Sequence, residues 1–264
     1  AYHALGEEIA ALAPGQQAAK AAIDMALLDV VTQSAELPLV TFLGLDPSHS
    51  PVTSYSLGID STEVLKQKLK EAAEFPILKV KMGSDNDEAI LRQVRELTDK
   101  PIRIDANEGW TDRETALRQC EMLEKANIEM VEQPLPAKRF EDLAWLRERT
   151  SLPLVADEDL TCAQDLRVLS DVYDGVNIKL MKVGGVQPAL QMIHTARSLG
   201  LKVMLGCMIE SSLGITAAAH LSPLADWIDL DGSLLLREDP FHGVTFDQGK
   251  PSIPTTPGLG ARPV

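Results

Sequence analysis

The chain has 264 residues, of which 45% are hydrophobic and 24% charged, with a formal net charge of −14 at pH 7. These values are typical of a globular protein with a large core, and the acidic balance argues against nucleic acid or an anionic membrane as partner. The sequence contains no run of 18 or more apolar residues, the length that would predict a membrane span. The chain opens without a basic segment followed by an apolar stretch, and its three cysteines lack CxxC spacing, so we expect a cytoplasmic protein.

Eight short apolar runs alternate with helix-like segments. We predict strands at 52–59, 75–83, 101–107, 128–133, 153–158, 175–181, 202–208 and 227–231. Of the helical patterns between them, 61–74 starts at a Ser/Thr cap, and 111–127 has Thr111 and Glu114 in capping-box spacing. No Gly-rich dinucleotide fingerprint or phosphate loop is present, so the series predicts an α/β barrel rather than an open doubly wound sheet.

The two ends of the chain lie outside this repeat. Residues 1–14 are Ala-rich and are predicted to form a loop, 16–33 an amphipathic helix, and the Pro- and Gly-rich tail an extended segment. The expected organisation is the end of a cap linker and a leading helix at 1–33, the barrel at 34–238 and a returning segment at 239–264. We therefore expect an N-terminal cap domain as a partner of the barrel.

Charged residues stand at the C-terminal ends of five successive predicted strands. They are Lys79 and Lys81, Asp105, Glu132, Asp157 and Lys179. In a parallel barrel these strand ends open on one mouth, where barrel active sites lie. Three carboxylates from neighbouring strands make an all-oxygen site that suits Mg²⁺, with Mn²⁺ as the second candidate, better than Zn²⁺. The alternative is three separate ion pairs with Arg103, Lys79 and Lys179.

Lysine-bearing strands stand on both sides of the three acidic strands in chain order. Each lysine could simply balance a carboxylate. The arrangement instead indicates one ammonium on each side of a molecule bound to the metal. A lysine in that position can serve as a general base.

These segments resemble the barrel domain of the enolase superfamily, in its muconate-lactonizing subgroup. The matching pieces are KVKMG, RIDANEGW, VEQP, VADED and NIKLMKVGG, which occur in family order within residues 15–260. The resemblance implies a modified TIM barrel, (β/α)7β, with the N-terminal capping domain largely absent from this chain. It implies Mg²⁺ bound by Asp105, Glu132 and Asp157, and an acid/base pair formed by Lys81 and Lys179.

The resemblance also implies supporting residues. Lys79 would tune Lys81 and contact the substrate carboxylate, Asn107 and Glu158 would be hydrogen-bonding partners, and Glu210 would lie near the second lysine. The implied chemistry is removal of a proton α to a carboxylate, with the metal stabilising the resulting enediolate.

The segment WIDLDGSLLL carries the substrate prediction. Asp229 and Asp231 are expected on one face of the last strand, where two further carboxylates need a cation such as a substrate ammonium. The alternative is a helix cap followed by a turn residue. An Asp-x-Asp here resembles the dipeptide epimerases of the superfamily, in which it holds the free amino group. Ser56 and Met208 are further candidate substrate contacts.

The expected function is therefore Mg²⁺-dependent epimerisation of a dipeptide at the α-carbon of its C-terminal residue, by 1,1-proton transfer. An L-Ala-D/L-Glu-type peptidoglycan dipeptide is the default substrate of the resemblance. An N-acylamino acid racemase, o-succinylbenzoate synthase or muconate cycloisomerase would keep the metal and the lysines without needing Asp229 and Asp231. A non-catalytic barrel subunit is the alternative class, and a homo-oligomer is compatible with the sequence.

Overall fold

The computed structural model describes residues 2–58 and 61–264. It divides into two compact units, a central unit of residues 54–177 and 198–202, and a terminal unit of residues 1–53, 178–197 and 203–264. In the described residues, eight parallel strands follow one another in chain order. They are β1 Ser54–Leu57, β2 Ile77–Lys81, β3 Ile102–Asp105, β4 Ile128–Glu132, β5 Leu154–Ala156, β6 Gly175–Lys179, β7 Lys202–Gly206 and β8 Trp227–Ile228.

Eleven α-helices occur in the described ranges, most of them between strands. They are α1 Tyr2–Leu12, α2 Gln17–Ser34, α3 Leu39–Phe42, α4 Thr62–Glu71, α5 Asp87–Arg95, α6 Arg113–Leu123, α7 Phe140–Arg147, α8 Leu166–Val172, α9 Leu180–Val183, α10 Val186–Ser198 and α11 Ser212–Ala219. None of these helices combines the length and the apolar character of a membrane span.

Strand register in the central unit aligns the charged strand ends. Lys81 on β2 pairs with Asp105 on β3, and Asp105 pairs in turn with Glu132 on β4. Because adjacent strands lie about 4.8 Å apart, this register brings the three charged side chains into one row. The strands around them are buried, as expected for a parallel sheet covered by helices.

The start of α6 differs from the predicted capping box. The helix begins at Arg113, and the side chain of Asp112 accepts a hydrogen bond from Thr115 N at 2.8 Å. Thr111 therefore lies before the N-cap, and Glu114 is the second residue of the helix. In a capping box the acidic side chain comes from the third residue of the helix. The prediction of a box formed by Thr111 and Glu114 is wrong, because the carboxylate of Asp112 meets the free N–H instead.

In the terminal unit, the predicted loop at 1–14 is also wrong. Residues Tyr2–Leu12 form α1, in agreement with the high helix propensity of its Ala, Leu and Glu residues. The ammonium of Lys20 donates to Ala10 O at 2.9 Å and to Ala13 O at 2.6 Å, which satisfies carbonyls at the end of this helix. The predicted helix at 16–33 is confirmed as α2.

The tail is largely extended, as predicted, and forms two small antiparallel pairs. β9 (Phe241–His242) pairs with β12 (Arg262–Pro263), and β10 (Thr245–Asp247) pairs with β11 (Lys250–Ser252). Its Leu259 is buried, and Leu259 N donates to Asp29 Oδ1 on α2 at 2.7 Å. The tail is therefore anchored within the terminal unit.

His220 gives this anchor a pH dependence. Its Nδ1 accepts from Val40 N at 3.1 Å, so Nε2 carries the proton and donates to Leu259 O at 2.9 Å. Burial lowers the pKa of His220 below its ordinary 6.5, although the bond to Leu259 O raises it. The unfolded chain therefore binds a proton more readily, so the stabilisation is complete above about pH 6.5 and is lost as the pH falls towards the folded-state pKa.

We expect the free energy of unfolding in urea to fall by about 1 kcal/mol more between pH 7 and pH 5 in the wild type than in His220→Gln. The exposed His194 supplies the control, and His194→Gln should keep the wild-type slope. Equal slopes for the wild type and His220→Gln would contradict this prediction.

Candidate active site

The ammonium of Lys79 joins two of the predicted metal ligands. Its Nζ lies 3.0 Å from Asp105 Oδ2 and 2.8 Å from Glu132 Oε2, and both carboxylate side chains are 0% exposed. Burial by itself would raise the pKa of Asp105, but the charges of Lys79 and Lys81 hold it below its ordinary value. Lys79 thus acts as a counter-ion between the ends of β3 and β4. The roles that the resemblance implied for it, tuning Lys81 and contacting the substrate carboxylate, stay predictions.

Lys81 is the more accessible of the two lysines. Its side chain is 44% exposed against 4% for Lys79. Its Nζ lies 2.7 Å from Asp105 Oδ2 and donates to Asn107 Oδ1 at 2.8 Å. Asn107 Nδ2 in turn donates to Glu158 Oε1 at 3.4 Å. The structure therefore brings Lys81, Asn107 and Glu158 together in one chain of hydrogen bonds beside Asp105.

Asp157 follows β5 and is only 4% exposed. Its backbone N donates to Gln133 Oε1 at 3.0 Å, which ties it to the residue after Glu132. Burial, followed by the charge of Asp157, raises the pKa of Glu158. Sequence reasoning missed Asn177, which donates to Glu132 Oε1 at 2.7 Å. Its position two residues before the lysine that closes β6 could have identified it, because strand side chains alternate in direction.

The central unit offers an anionic, all-oxygen set of donors. Within the described residues, no three His, Cys, Asp or Glu side chains are arranged to hold a metal ion by themselves. Ammonium groups stand among the carboxylates. The group contains two ammoniums, Lys79 and Lys81, and four carboxylates, so it carries two negative charges in excess when all are ionised. The carboxylates are Asp105, Glu132, Asp157 and Glu158. Glu158 Oε2 is also buried without a hydrogen bond in the described part of the chain. This group fits Mg²⁺ in charge and donor type.

The terminal unit carries the second lysine. Lys179 closes β6 and is 7% exposed. Burial raises the pKa of Glu210, although the bond from Met208 N (3.0 Å) and the charge of Lys179 lower it. A side chain at Gly214 would overlap Glu210 Oε2, so glycine is needed for the carboxylate to lie where it does. Glu210 is thus a half-buried carboxylate within electrostatic range of Lys179, and its role beside that lysine stays a prediction.

Asp229 and Asp231 are buried in the same unit, at 5% and 2% exposure. Because β8 ends at Ile228, both lie after the strand and not on one of its faces, which corrects the sequence prediction. Asp231 occupies the cap position of the 3-10 helix Gly232–Leu235, but its side chain makes no capping bond. Burial raises the pKa of the Cys207 thiol well above its ordinary value, and the charges of the two aspartates add to this rise. The thiol is therefore close enough to both carboxylates to be affected by their charge.

The two weaker candidates lie on different units. Ser56 on β1 pairs in register with Lys79 and is half-buried. Met208 lies in the loop after β7 and is 44% exposed. Both remain predictions as substrate contacts.

Two family models match the chain. Residues 63–263 match the Enolase C-terminal domain-like family, and residues 4–44 match the Mandelate racemase / muconate lactonizing enzyme, N-terminal domain. The first match covers every strand from β2 to β8 and all the candidate site residues except Ser56.

Named relatives agree with these families. The chain is 42% identical over 250 residues to the L-Ala-D/L-Glu epimerase of Bacteroides thetaiotaomicron, which covers 94% of this chain but only 65% of that protein. It is 44% identical over 259 residues to the L-Ala-D/L-amino acid epimerase of Pedosphaera parvula, covering 96% of this chain and 75% of the relative. The chain thus spans about two thirds to three quarters of the length of these two relatives.

A solved structure shows the same fold. The dipeptide epimerase from Cytophaga hutchinsonii, complexed with Mg and the dipeptide D-Ala-L-Val, matches with a TM-score of 0.91 and 32% identity, over 100% of this chain and 75% of that one. The predicted fold class, an α/β modified TIM barrel, is therefore confirmed. The chain belongs to the enolase superfamily, among relatives that are named as dipeptide epimerases.

Proposed function

We propose that this chain is the catalytic barrel of a Mg²⁺-dependent dipeptide epimerase, an isomerase that inverts the α-carbon of the C-terminal residue by 1,1-proton transfer. One observation carries the proposal. The accessible ammonium of Lys81 lies 2.7 Å from Asp105 Oδ2, within a buried carboxylate group at successive strand ends. A proton-transfer group next to a metal-binding group is the arrangement needed to form and stabilise a carbanion α to a carboxylate.

The lysines would share the proton transfer. One lysine, as the free amine, removes the α-proton, and the other, as the ammonium, returns a proton to the opposite face. Asn107 holds Lys81 by its 2.8 Å bond, and Glu210 lies near Lys179. Asp105, Glu132 and Asp157 would hold Mg²⁺, which when bound would stabilise negative charge on the substrate carboxylate. Inversion follows because removal and return of the proton use different residues.

Asp229 and Asp231 would bind the substrate ammonium. Both carboxylates are buried, and a substrate ammonium bound against them would form a charge-assisted contact. This selects a substrate with a free amino terminus. We propose an L-Ala-D/L-Glu-type dipeptide, as found in peptidoglycan, as the default substrate, in line with the name of the Bacteroides relative.

We also propose that an N-terminal cap domain covers the barrel mouth and that the protein works in the cytoplasm. A reducing compartment agrees with the free Cys120, Cys162 and Cys207.

The test is proton NMR in D₂O with Mg²⁺, on protein that carries its cap domain, across a small dipeptide panel that includes L-Ala-L-Glu. Loss of the α-proton signal of the C-terminal residue together with formation of the epimer supports the proposal. Absence of exchange with every dipeptide, alongside turnover of an N-acylamino acid or a cycloisomerase substrate, would replace it by one of the related activities. Absence of any proton exchange would favour a non-catalytic barrel.

Replacing Asp229 tests the amino-terminal site separately. We expect Asp229→Asn to lower kcat/KM for a free dipeptide by about 100-fold, because the buried site loses one charge of an ion pair worth several kcal/mol. Exchange with an N-acetylated dipeptide, which lacks the ammonium, should change little. The exposed Asp247 supplies the control, and Asp247→Asn should behave as the wild type. Equal losses with both substrates would contradict a role in ammonium binding.

A further inference from the structure

We propose that Gln133 is a positioning residue that fixes the backbone of Asp157 relative to Glu132. The inference rests on the proposed function only in taking Glu132 and Asp157 as metal ligands. Gln133 directly follows Glu132, is fully buried and has φ 39°, a left-handed conformation that is uncommon for a residue other than glycine. Backbone bonds hold it there, since Gln133 N donates to Val155 O at 2.9 Å and its carbonyl accepts from Glu108 N at 2.9 Å.

The side-chain amide of Gln133 uses its full hydrogen-bonding capacity. Its Oε1 accepts from Asp157 N at 3.0 Å and from Asp159 N at 3.2 Å. Its Nε2 donates to Leu135 O at 3.0 Å and to Asp159 Oδ2 at 2.9 Å. With two bonds accepted and two donated, the orientation of the amide is fixed. The oxygen faces the turn that carries Asp157, so this turn is tied to the end of β4.

Asp159 completes the connection from the other side. Its Oδ2 also accepts from Tyr173 OH at 2.8 Å, and its Oδ1 accepts from Lys138 N at 2.6 Å. The carboxylate is 6% exposed and therefore depends on these donors. The network Gln133–Asp159–Tyr173 links the turn that directly follows Glu132, the last residue of β4, to the turn after β5, which carries Asp157. Residues that orient metal ligands in this way typically contribute 10–100-fold to metal affinity.

Three variants separate this role from simple packing. Gln133→Leu removes every side-chain bond. Gln133→Glu keeps the shape but sets a second carboxylate against Asp159. The double variant Gln133→Glu/Asp159→Asn exchanges acid and amide, which restores a donor between the two positions at unchanged total charge.

We expect the Mn²⁺ dissociation constant, measured by electron paramagnetic resonance of the free ion, to rise about 10–100-fold in both single variants. In the double variant part of this loss should be recovered, because the bond between positions 133 and 159 is restored while Leu135 O still lacks its donor. Circular dichroism and thermal unfolding report whether each variant is folded. The exposed Gln67 on α4 supplies the control, and Gln67→Leu should bind Mn²⁺ as the wild type does.

Wild-type Mn²⁺ affinity in a folded Gln133→Leu variant would overturn the inference and leave the proposed function standing. A double variant no better than Gln133→Glu would overturn it as well, and this comparison stays informative if Gln133→Leu does not fold. A wild-type protein that binds no Mn²⁺ would overturn both the inference and the proposed function.

Discussion

Replacing either Lys81 or Lys179 by alanine is expected to abolish epimerisation while preserving proton exchange on one epimer only. Inversion needs both residues, one to remove the α-proton and one to return a proton to the other face. A single remaining lysine can still remove and replace the proton on its own face. The net epimerisation rate should therefore fall by at least about 10³-fold, within the usual contribution of general acid–base catalysis.

The measurement is proton NMR in D₂O on the two epimers of one dipeptide, each supplied separately. Lys81→Ala should exchange the α-proton of one epimer and Lys179→Ala that of the other, each without inversion. Lys70 on α4 is exposed and supplies the control, and Lys70→Ala should epimerise at the wild-type rate. Exchange of the same epimer by both variants would contradict the assignment of one lysine to each face.

Much of the candidate site could be predicted because it depends on short-range periodicity. The C-terminal ends of consecutive parallel strands lie next to one another. Because each predicted strand ended in one charged residue, Asp105 and Glu132 could be expected to lie side by side. The register, which pairs Lys81 with Asp105 and Asp105 with Glu132, confirms that alignment. Alternation along a strand was less informative near β8, because the strand ends at Ile228 before the two aspartates.

The contacts that the sequence did not reveal depend on irregular backbone. Gln133 has a left-handed conformation, which sends its side chain towards a turn 24 residues away in sequence. No periodic pattern contains that information, since the conformation results from tertiary bonds and not from local preference. The start of α6 at Arg113 shows a smaller effect of the same kind. The sequence pattern placed the N-cap at Thr111, one residue before Asp112, which caps the helix in the structure.

The turns after β2 and β3 touch through two glycines, Gly83 and Gly109. A side chain at Gly109 would overlap the backbone of Gly83, and one at Gly83 would overlap Ala106 O and come within 2.9 Å of Gly109 Cα. Lys81 precedes the first glycine by two residues, and Asn107 precedes the second by two. The close approach of the two turns therefore helps to set the 2.8 Å bond between Lys81 and Asn107.

Gly109→Ala is accordingly expected to destabilise the protein by about 3 kcal/mol, at the upper end for overpacking, because the added methyl meets backbone that cannot rotate away. Urea unfolding measures the effect. Gly44→Ala is the control for the effect of replacing a glycine without a steric clash, since Gly44 has φ 72° but nothing within 4 Å of an added Cβ. Gly44→Ala should therefore cost only about 1 kcal/mol, the strain of a left-handed alanine.

If Gly109→Ala costs no more than Gly44→Ala, the two turns can separate without loss of stability, and their contact does not fix the geometry of the site. If Gly109→Ala loses more stability than Gly44→Ala, its folded fraction should also exchange the substrate α-proton more slowly. The reason is that Asn107 moves with its turn, which lengthens its bond to Lys81. Stability and activity would then fail together at a residue that carries no functional group, since the same backbone contact supports both.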